Sequence, residues 1–153
     1  MSGQNNKIKI EIFTIGFAKK SAYEFFKKLM DAGVKRIIDV RLNNVSQLAG
    51  FTKKQDIEYF LKEIAHIEYT HKPEFAPTKN ILDAYKKKEI NWNEYERRFR
   101  ELITGHEIEN LVTPAQIDKA CFLCTEANPE KCHRRLLAEY FQKRWGNVLI
   151  HHL

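Results

Sequence analysis

Short apolar runs alternate with amphipathic stretches along the chain, and this pattern predicts repeated strand–helix units. Runs rich in aliphatic and aromatic residues predict five strands, at residues 8–15, 34–40, 67–70, 120–124 and 148–150. Apolar residues at helical spacing lie between these runs. Residues typical of helix N-termini open five of the stretches: Ser21, Thr52, Asn91, Thr113 and Asn128. A further short helix is predicted over residues 80–88, and the last helix is expected to end at Trp145.

Strands that alternate with helices favour a mostly parallel sheet, because a parallel connection crosses the sheet and usually does so as a helix. We therefore predict the α/β class, as a single domain with a mostly parallel five-stranded sheet and helices on both faces. This is a Rossmann-like, three-layer arrangement. A length of 153 residues suits one domain. Residues 1–7 are expected to form a flexible tail and residues 8–153 the domain.

The balance of charged residues indicates an anionic partner. The chain has 26 Lys and Arg against 20 Asp and Glu, which gives a formal net charge of +6 at pH 7. A basic surface of this kind suits a nucleotide or a nucleic acid. Aromatic residues interleave with the basic ones, and four are candidates to stack on bases: Tyr69, Phe75, Tyr85 and Trp92. The alternative is a solvated basic face, with Trp92 in the core.

The apolar runs and the cysteines bear on location and on metal binding. No apolar run approaches the length of a membrane span, so we expect no membrane partner. The polar N-terminal stretch lacks the apolar segment of a signal peptide, which favours a cytoplasmic protein with reduced thiols. Cys121, Cys124, Cys132 and His133 do not have the spacing of a common zinc site. Since the motifs of phosphate-binding and dinucleotide-binding loops are also absent from the sequence, we predict no metal and no cofactor.

Polar residues gather where the predicted strands end, and ligands of parallel sheets bind at that edge. The candidates for catalysis are Asp39, Glu126, Cys132 and His133. The candidates for binding an anion are Gly16, Arg41, Tyr69, His71 and Arg134. Asp39 and Arg41 face the same side of a strand, where they form an ion pair or, alternatively, Asp39 orients a ligand. Glu126 is the best candidate for a general base, because it lies between a strand end and a helix start.

Three consecutive residues at the start of the last helix carry the most reactive chemistry. Cys132 is expected in the first turn, where free amides and the helix dipole favour a thiolate; the alternative is an inert cysteine. His133 lies on the apolar stripe and should point inward, as a site residue or as a core histidine. Arg134 is either a phosphate ligand at the helix start or a solvated side chain.

Three segments of the sequence resemble a known family: Thr14-Ile15-Gly16, Asp39-Val40-Arg41, and Cys124-x-Glu126 leading to Cys132-His133-Arg134. Tyr69, His71 and His152 also fit the pattern. On these motifs the chain resembles the domain-of-unknown-function family 488 (DUF488), over most of its length. The resemblance implies an α/β fold and supports the site, and it leaves the reaction open. Phe17-Ala18 and residues 72–77 depart from the family's usual His-Ser and Leu-Gly-Gly, and the Pro usual after Asp-Val-Arg is absent.

The function we expect is that of a hydrolase or transferase acting on a phosphate-bearing substrate, a nucleotide or nucleic acid, at the C-terminal edge of the sheet. Glu126 would serve as base or acid with His133 as its partner, and Arg41 and Arg134 would bind the anion. One alternative is a nucleotide-binding or nucleic-acid-binding module without catalysis. Another is a redox protein that uses Cys132 with Cys124 as the resolving thiol.

Overall fold

The computed structural model describes residues 9–43 and 50–153, and within them it contains one five-stranded sheet. The strands are β1 (Ile10–Gly16), β2 (Arg36–Asp39), β3 (Glu68–His71), β4 (Ala120–Cys124) and β5 (Val148–His152). Their order across the sheet is β3-β2-β4-β1-β5, and every neighbouring pair is parallel. The predicted parallel sheet is therefore confirmed. The predicted tail and residue 8 lie outside the described residues.

Six α-helices occur in the described ranges, between the strands. They are α1 (Ala22–Ala32), α2 (Lys54–Phe60), α3 (Lys79–Lys86), α4 (Trp92–Gly105), α5 (Pro114–Ile117) and α6 (His133–Trp145). A π-helical turn, Leu61–Ala65, continues α2. Short 3-10 turns occur at Gly50–Thr52, Pro73–Phe75 and Ile108–Asn110.

The sheet is covered on both faces, and each face has its own apolar core. On one face Ile15 of the sheet belongs to a core with Phe25 of α1 and Ile57 of α2. On the other face Phe122 belongs to a core with Phe141 of α6. Because successive strand residues point to opposite faces, β1, β2 and β4 each contribute to both cores. The predicted three-layer α/β architecture is confirmed.

The connections from the sheet diverge around the carboxyl end of β4. The chain leaves β1 and β2 toward α1 and α2 on one face, whereas β4 leads to α6 on the other. β4 lies between β1 and β2 in the sheet. Such a point, where neighbouring connections go to opposite faces, opens a crevice that parallel sheets use for ligands. Cys124, the last residue of β4, lies at this crevice.

Three of the five predicted N-caps are confirmed. The side chains of Ser21, Asn91 and Thr113 each accept a hydrogen bond from the backbone N–H three residues further on. The predictions for Thr52 and Asn128 were wrong. Thr52 is buried in a 3-10 turn, and Lys53 takes the N-cap position of α2. Asn128 accepts instead from the backbone of Glu130 in a local turn (2.9 Å), and α6 begins five residues later.

Local geometry also alters the exposure of individual side chains. The periodicity predicts Ile64 on the same buried face as Ile57, yet 49% of Ile64 is exposed. The π-helical turn adds a residue to that part of the helix and rotates the side chains that come after it. Phe75 is fully buried and packs on Phe122, so it cannot stack on a base. β5 extends to His152, two residues beyond the predicted strand.

Candidate functional site

A cleft of about 720 Å³ opens at the carboxyl edge of the sheet, where the ends of β2 and β4 meet α3, α4 and the start of α6. Four of the predicted site residues line it: Arg41, Glu126, Cys132 and His133. They come from three separate regions of the sequence and are brought together by the parallel arrangement of the strands. The position of the cleft agrees with the general rule for ligands of parallel sheets.

Asp39 and Arg41 form a buried ion pair at one side of the cleft. Arg41 donates from Nε to Oδ1 of Asp39 (2.8 Å) and from Nη2 to Oδ2 (2.7 Å), which is a bidentate pair. Asp39 is fully buried and Arg41 is 4% exposed. Among the described residues, Arg41 Nη1 is buried without a hydrogen-bond partner. Of the two interpretations of Asp39, the structure therefore shows the ion pair, and it leaves one arginine donor unsatisfied.

Two other candidates from the sequence support this pair from β3. The Tyr69 hydroxyl donates to Oδ2 of Asp39 (2.6 Å), and His71 Nε2 donates to the backbone carbonyl of Arg41 (2.7 Å). Arg41 Nη2 also donates to the carbonyl of Thr52 (2.7 Å). Tyr69 and His71 are thus placed to position the ion pair. Direct contact between either of them and an anion stays a prediction.

Arg134 lies on the opposite face of the sheet from this pair and is fully buried, which excludes a solvated side chain. It donates to the Thr14 hydroxyl (3.2 Å), to Cys124 Sγ (3.1 Å), to the carbonyl of Glu126 and to that of Ala127 (3.3 Å). Within the described ranges, none of these hydrogen bonds reaches a carboxylate. A buried cation requires a compensating charge, so the nearby thiols become the candidates to supply it.

Gly16 makes this arrangement possible at the end of β1. A Cβ atom at this position would lie 1.6 Å from the Glu126 carbonyl oxygen and 2.9 Å from Nη1 of Arg134. Only a residue without a side chain lets the β4–α6 loop pass so close to β1. The close packing of the loop therefore explains why residue 16 is a glycine. Contact between Gly16 and an anion stays a prediction.

Cys132 occupies the N-cap position of α6 without a capping hydrogen bond from its side chain, and it interacts with a second cysteine, Cys124. Burial by itself raises the pKa of the Cys132 thiol, but the hydrogen bond from Cys124 and the positive charge of Arg134 lower that pKa below its ordinary value. Burial, followed by the hydrogen bond and charge of Cys132, raises the pKa of Cys124 well above its ordinary value. Cys132 is therefore the more acidic of the two thiols. Its ionisation would place a negative charge near Arg134, whose hydrogen bonds reach no carboxylate within the described ranges.

His133 points inward, as the helical stripe predicts, and is 8% exposed. Its Nε2 donates to the backbone carbonyl of Val40 (2.7 Å), and its ring meets Phe99 edge-on. Burial lowers the pKa of His133 below its usual range. A neutral ring that donates from Nε2 keeps Nδ1 as its proton acceptor. His133 thus combines a structural hydrogen bond with a place on the cleft wall.

The rest of the cleft is basic on one side and aromatic on another. In the described part of the chain, its lining includes the cations Arg41, Lys79, Lys86 and Lys131 and the carboxylates Asp83 and Glu126. Tyr85, Trp92 and Tyr95 form a mutually packed aromatic wall, with ring centroids 4.9 to 5.9 Å apart. Glu126 is exposed, which suits a group that exchanges protons with a ligand.

Sequence reasoning left Thr14 and His152 out of the candidate site, although both end up in the network behind it. The Thr14 hydroxyl, which accepts from Arg134, lies 2.6 Å from Nδ1 of His152. Burial, with a contribution from Arg134, lowers the pKa of His152, which suits a ring that accepts this bond. Their positions at two neighbouring strand ends were the available signal, but only the register of β1 and β5 shows that they meet.

The described ranges contain neither a metal-binding cluster nor a membrane-spanning helix. No group of three or more His, Cys, Asp or Glu side chains in these ranges is placed to hold a metal ion. None of the helices there has the length and apolar character needed to span a bilayer.

The comparison with protein families adds one finding. The model of the family described as "Domain of unknown function DUF488" matches residues 21–141. The chain belongs to the DUF488 family. The match contains the Asp39-Val40-Arg41 and Cys132-His133-Arg134 motifs, whereas Thr14, Gly16 and His152 lie outside it. No curated protein and no solved structure matches this DUF488 chain.

Proposed function

We propose that this DUF488 protein is a hydrolase or transferase that attacks a phosphate-bearing substrate with the sulfur of Cys132. The observation that carries the proposal is the position of Cys132 on the cleft wall, at the N-terminus of α6, where it interacts with the buried Arg134. The hydrogen bonds of Arg134 reach no carboxylate among the described residues. A helix N-terminus and a cation both stabilise a thiolate, which is the nucleophilic form of cysteine.

The charge of the cleft supports a phosphate-bearing substrate. Lys79, Lys86 and Lys131 surround the opening, and Arg41 carries an unsatisfied donor. An oxyanion bound against Arg41 would satisfy that donor, and the lysines would balance further negative charge. Asp39 and Tyr69 keep the guanidinium of Arg41 in place before a ligand arrives.

The proposed reaction has two steps. The Cys132 sulfur attacks phosphorus, the bond to the leaving oxygen breaks, and that oxygen takes the electron pair and a proton from the Glu126 carboxyl. Water in a hydrolase, or a hydroxyl in a transferase, then attacks the phosphorus and gives its proton to the Glu126 carboxylate. The phosphorus–sulfur bond breaks and Cys132 leaves as the thiolate. Amides at the start of α6 are available for the charge that develops on the equatorial oxygens.

The test combines labelling of the thiol with a covalent trap. Iodoacetamide labelling of Cys132, followed against pH by peptide mass spectrometry, is expected to titrate below the free-thiol value of about 8.5. Nucleoside monophosphates should slow the labelling. A panel of nucleotides and aryl phosphates, quenched in acid, is expected to leave one phosphoryl group on Cys132.

Variants separate catalysis from binding. Cys132→Ser is expected to abolish phosphate release while nucleotide binding remains, and Cys121→Ser, in the other core, should leave both unchanged. Lys86→Ala should raise KM with little effect on kcat. Phosphate release by Cys132→Ser at the wild-type rate would exclude Cys132 as the nucleophile.

The aromatic wall favours a second candidate, a nucleotide-binding or nucleic-acid-binding module without catalysis. Trp92 stacks on Tyr95 within the cleft, and Lys79 and Lys86 lie on the same lining. Stacking beside lysines suits a base and its phosphate. In this case single-stranded DNA or a nucleotide should quench the fluorescence of Trp92, measured in the Trp145→Phe variant. Binding should weaken as the salt concentration rises. The Trp92→Phe variant, which keeps only Trp145, should show little quenching.

A further inference from the structure

Two neighbouring cysteines form part of the cleft wall, and the proposed catalytic reaction uses only one of them. Cys124 ends β4 and Cys132 caps α6, so they lie at the two ends of one loop. Arg134 Nη1 lies 3.1 Å from Cys124 Sγ, and the two thiols interact with each other and with the guanidinium of Arg134. Both residues line the cleft. Because Cys124 is 2% and Cys132 3% exposed, only a reagent small enough to enter the cleft would reach the pair.

The third cysteine shows that this arrangement is particular to the pair. Cys121 lies three residues before Cys124 on β4 and faces the core formed with α1 and α2. It does not line the cleft, and burial raises the pKa of its thiol well above the ordinary value. Cys121 thus provides a matched control, a buried thiol on the same strand that faces away from Arg134.

We infer that Cys124 and Cys132 form a reversible disulfide when a peroxide enters the cleft, and that this oxidation is a modification site of the protein. An acidic thiol beside a second thiol is the arrangement in which an oxidised sulfur is resolved before it oxidises further. The inference is independent of the proposed phosphate chemistry, because it concerns only the sulfurs and Arg134.

The oxidation balances in two steps. The Cys132 thiolate attacks one oxygen of hydrogen peroxide, the O–O bond breaks, and hydroxide leaves, so that Cys132 becomes a sulfenic acid. The Cys124 sulfur then attacks the Cys132 sulfur, the S–O bond breaks, and the departing hydroxide takes the Cys124 proton and forms water. Two electrons pass from the cysteines to the peroxide, and the S–S bond forms.

The disulfide should be easily reduced. Oxidation removes the thiolate that compensates the buried charge of Arg134, so the reduced pair is the electrostatically favoured form. Stabilisation of the reduced form makes a disulfide more oxidising and more readily reversed by small thiols. This one consequence rests on the proposed function: with Cys132 as the nucleophile, formation of the bond would inactivate the cleft until a thiol restored it.

The test needs only the wild-type chain and no substrate. The reduced protein is treated with hydrogen peroxide and then denatured in the presence of N-ethylmaleimide, which labels free thiols. The mass of the intact chain is measured by mass spectrometry. The expected product is lighter by two hydrogen atoms before labelling, carries one maleimide at Cys121, and gives a peptide that links Cys124 to Cys132. Dithiothreitol should restore all three labelling sites. Wild-type protein that keeps three labelled thiols, or that accumulates a sulfinic acid on Cys132, would overturn the inference.

Variants identify the order of the steps. In Cys124→Ser, Cys132 should stop at the sulfenic acid and be captured by dimedone, whereas Cys132→Ser should form neither product. Cys121→Ser should oxidise at the wild-type rate. A disulfide that forms in the wild type alongside unchanged phosphate chemistry in Cys132→Ser would support this inference and reject the proposed function. Loss of phosphate release in Cys132→Ser, together with no disulfide in the wild type, would support the proposed function and reject this inference.

Discussion

Gly16 shows how a single missing side chain shapes the site at the scale of the residue. The β4–α6 loop passes so close to β1 that the Glu126 carbonyl occupies the space a Cβ would need. This approach lets the loop carbonyls reach Arg134, which in turn contacts Cys124. The glycine therefore acts on the thiol pair indirectly, through the loop and the arginine.

Substitution of Gly16 by alanine should destabilise the protein. The added methyl group would collide with backbone, which cannot rotate away as a side chain can. We expect the free energy of unfolding to fall by about 1–3 kcal/mol, the usual cost of overpacking. Urea denaturation measures this change. Gly105→Ala is the control, since a Cβ at Gly105 meets nothing within 4 Å, and that variant should be unchanged or slightly stabilised. Equal effects of the two substitutions would contradict the role of the close approach.

The chemistry at Cys132, His133 and Arg134 could be predicted from the sequence only in part. The helical stripe predicted that His133 points inward, which the structure confirms. A position near a helix start predicted a thiolate at Cys132, and this stays a prediction. The burial of Arg134 could not be predicted, because it depends on carbonyls and a hydroxyl contributed by two other segments. Hydrogen bonds between distant segments leave no periodicity in the sequence.

At the scale of the element, helix starts divide into those set by local capping and those set by the tertiary structure. Asn91 caps α4 by a hydrogen bond from the backbone of Glu94 (2.9 Å), as the local sequence predicts. Asn128 has the same residue type but does not cap α6. The carbonyls of Glu126 and Ala127 accept from Arg134, and this keeps the preceding segment out of the helix.

Removal of the α4 cap should destabilise the helix that carries the aromatic wall. For Asn91→Ala we expect the free energy of unfolding to fall by about 1 kcal/mol. For Asn91→Gly we expect a fall of only a few tenths of a kcal/mol. The reason is that alanine cannot accept the orphan N–H of Glu94, whereas glycine leaves it open to water. Urea denaturation followed by tryptophan fluorescence is the measurement. Asn93→Ala, an exposed change in the same first turn, should have no destabilising effect.

Two histidines, the buried His133 and the exposed His152, link elements across the whole molecule. His133 joins α6 to the end of β2 through the Val40 carbonyl, and His152 joins β5 to β1 through Thr14. Burial lowers the pKa of both rings. Asp39, Cys124 and Arg134 act on His133 as well, but burial has the largest effect. The folded protein therefore favours the neutral rings.

This preference predicts a loss of stability in mild acid. As the pH falls below about 6.5, the unfolded chain binds protons at these histidines before the folded chain does. Protons then favour unfolding, so the free energy of unfolding should fall between about pH 7.5 and about pH 5.5. Urea denaturation at the two pH values measures the drop, which should shrink in His133→Gln. The exposed His106→Gln is the control and should show the wild-type drop. An identical drop in all three proteins would contradict the argument.

The local pattern of this sequence is sufficient to predict the α/β class, the parallel sheet and the caps at Ser21, Asn91 and Thr113, because they depend on residues close together in the chain. It also predicts which strand ends carry polar side chains. The tertiary structure alone decides how those side chains pair. The order β3-β2-β4-β1-β5 inserts β4 between β1 and β2, and this insertion brings Arg134 to Thr14 of β1 and His133 to Val40 after β2. Contacts between segments about 100 residues apart arise from packing, which periodicity in the sequence does not record.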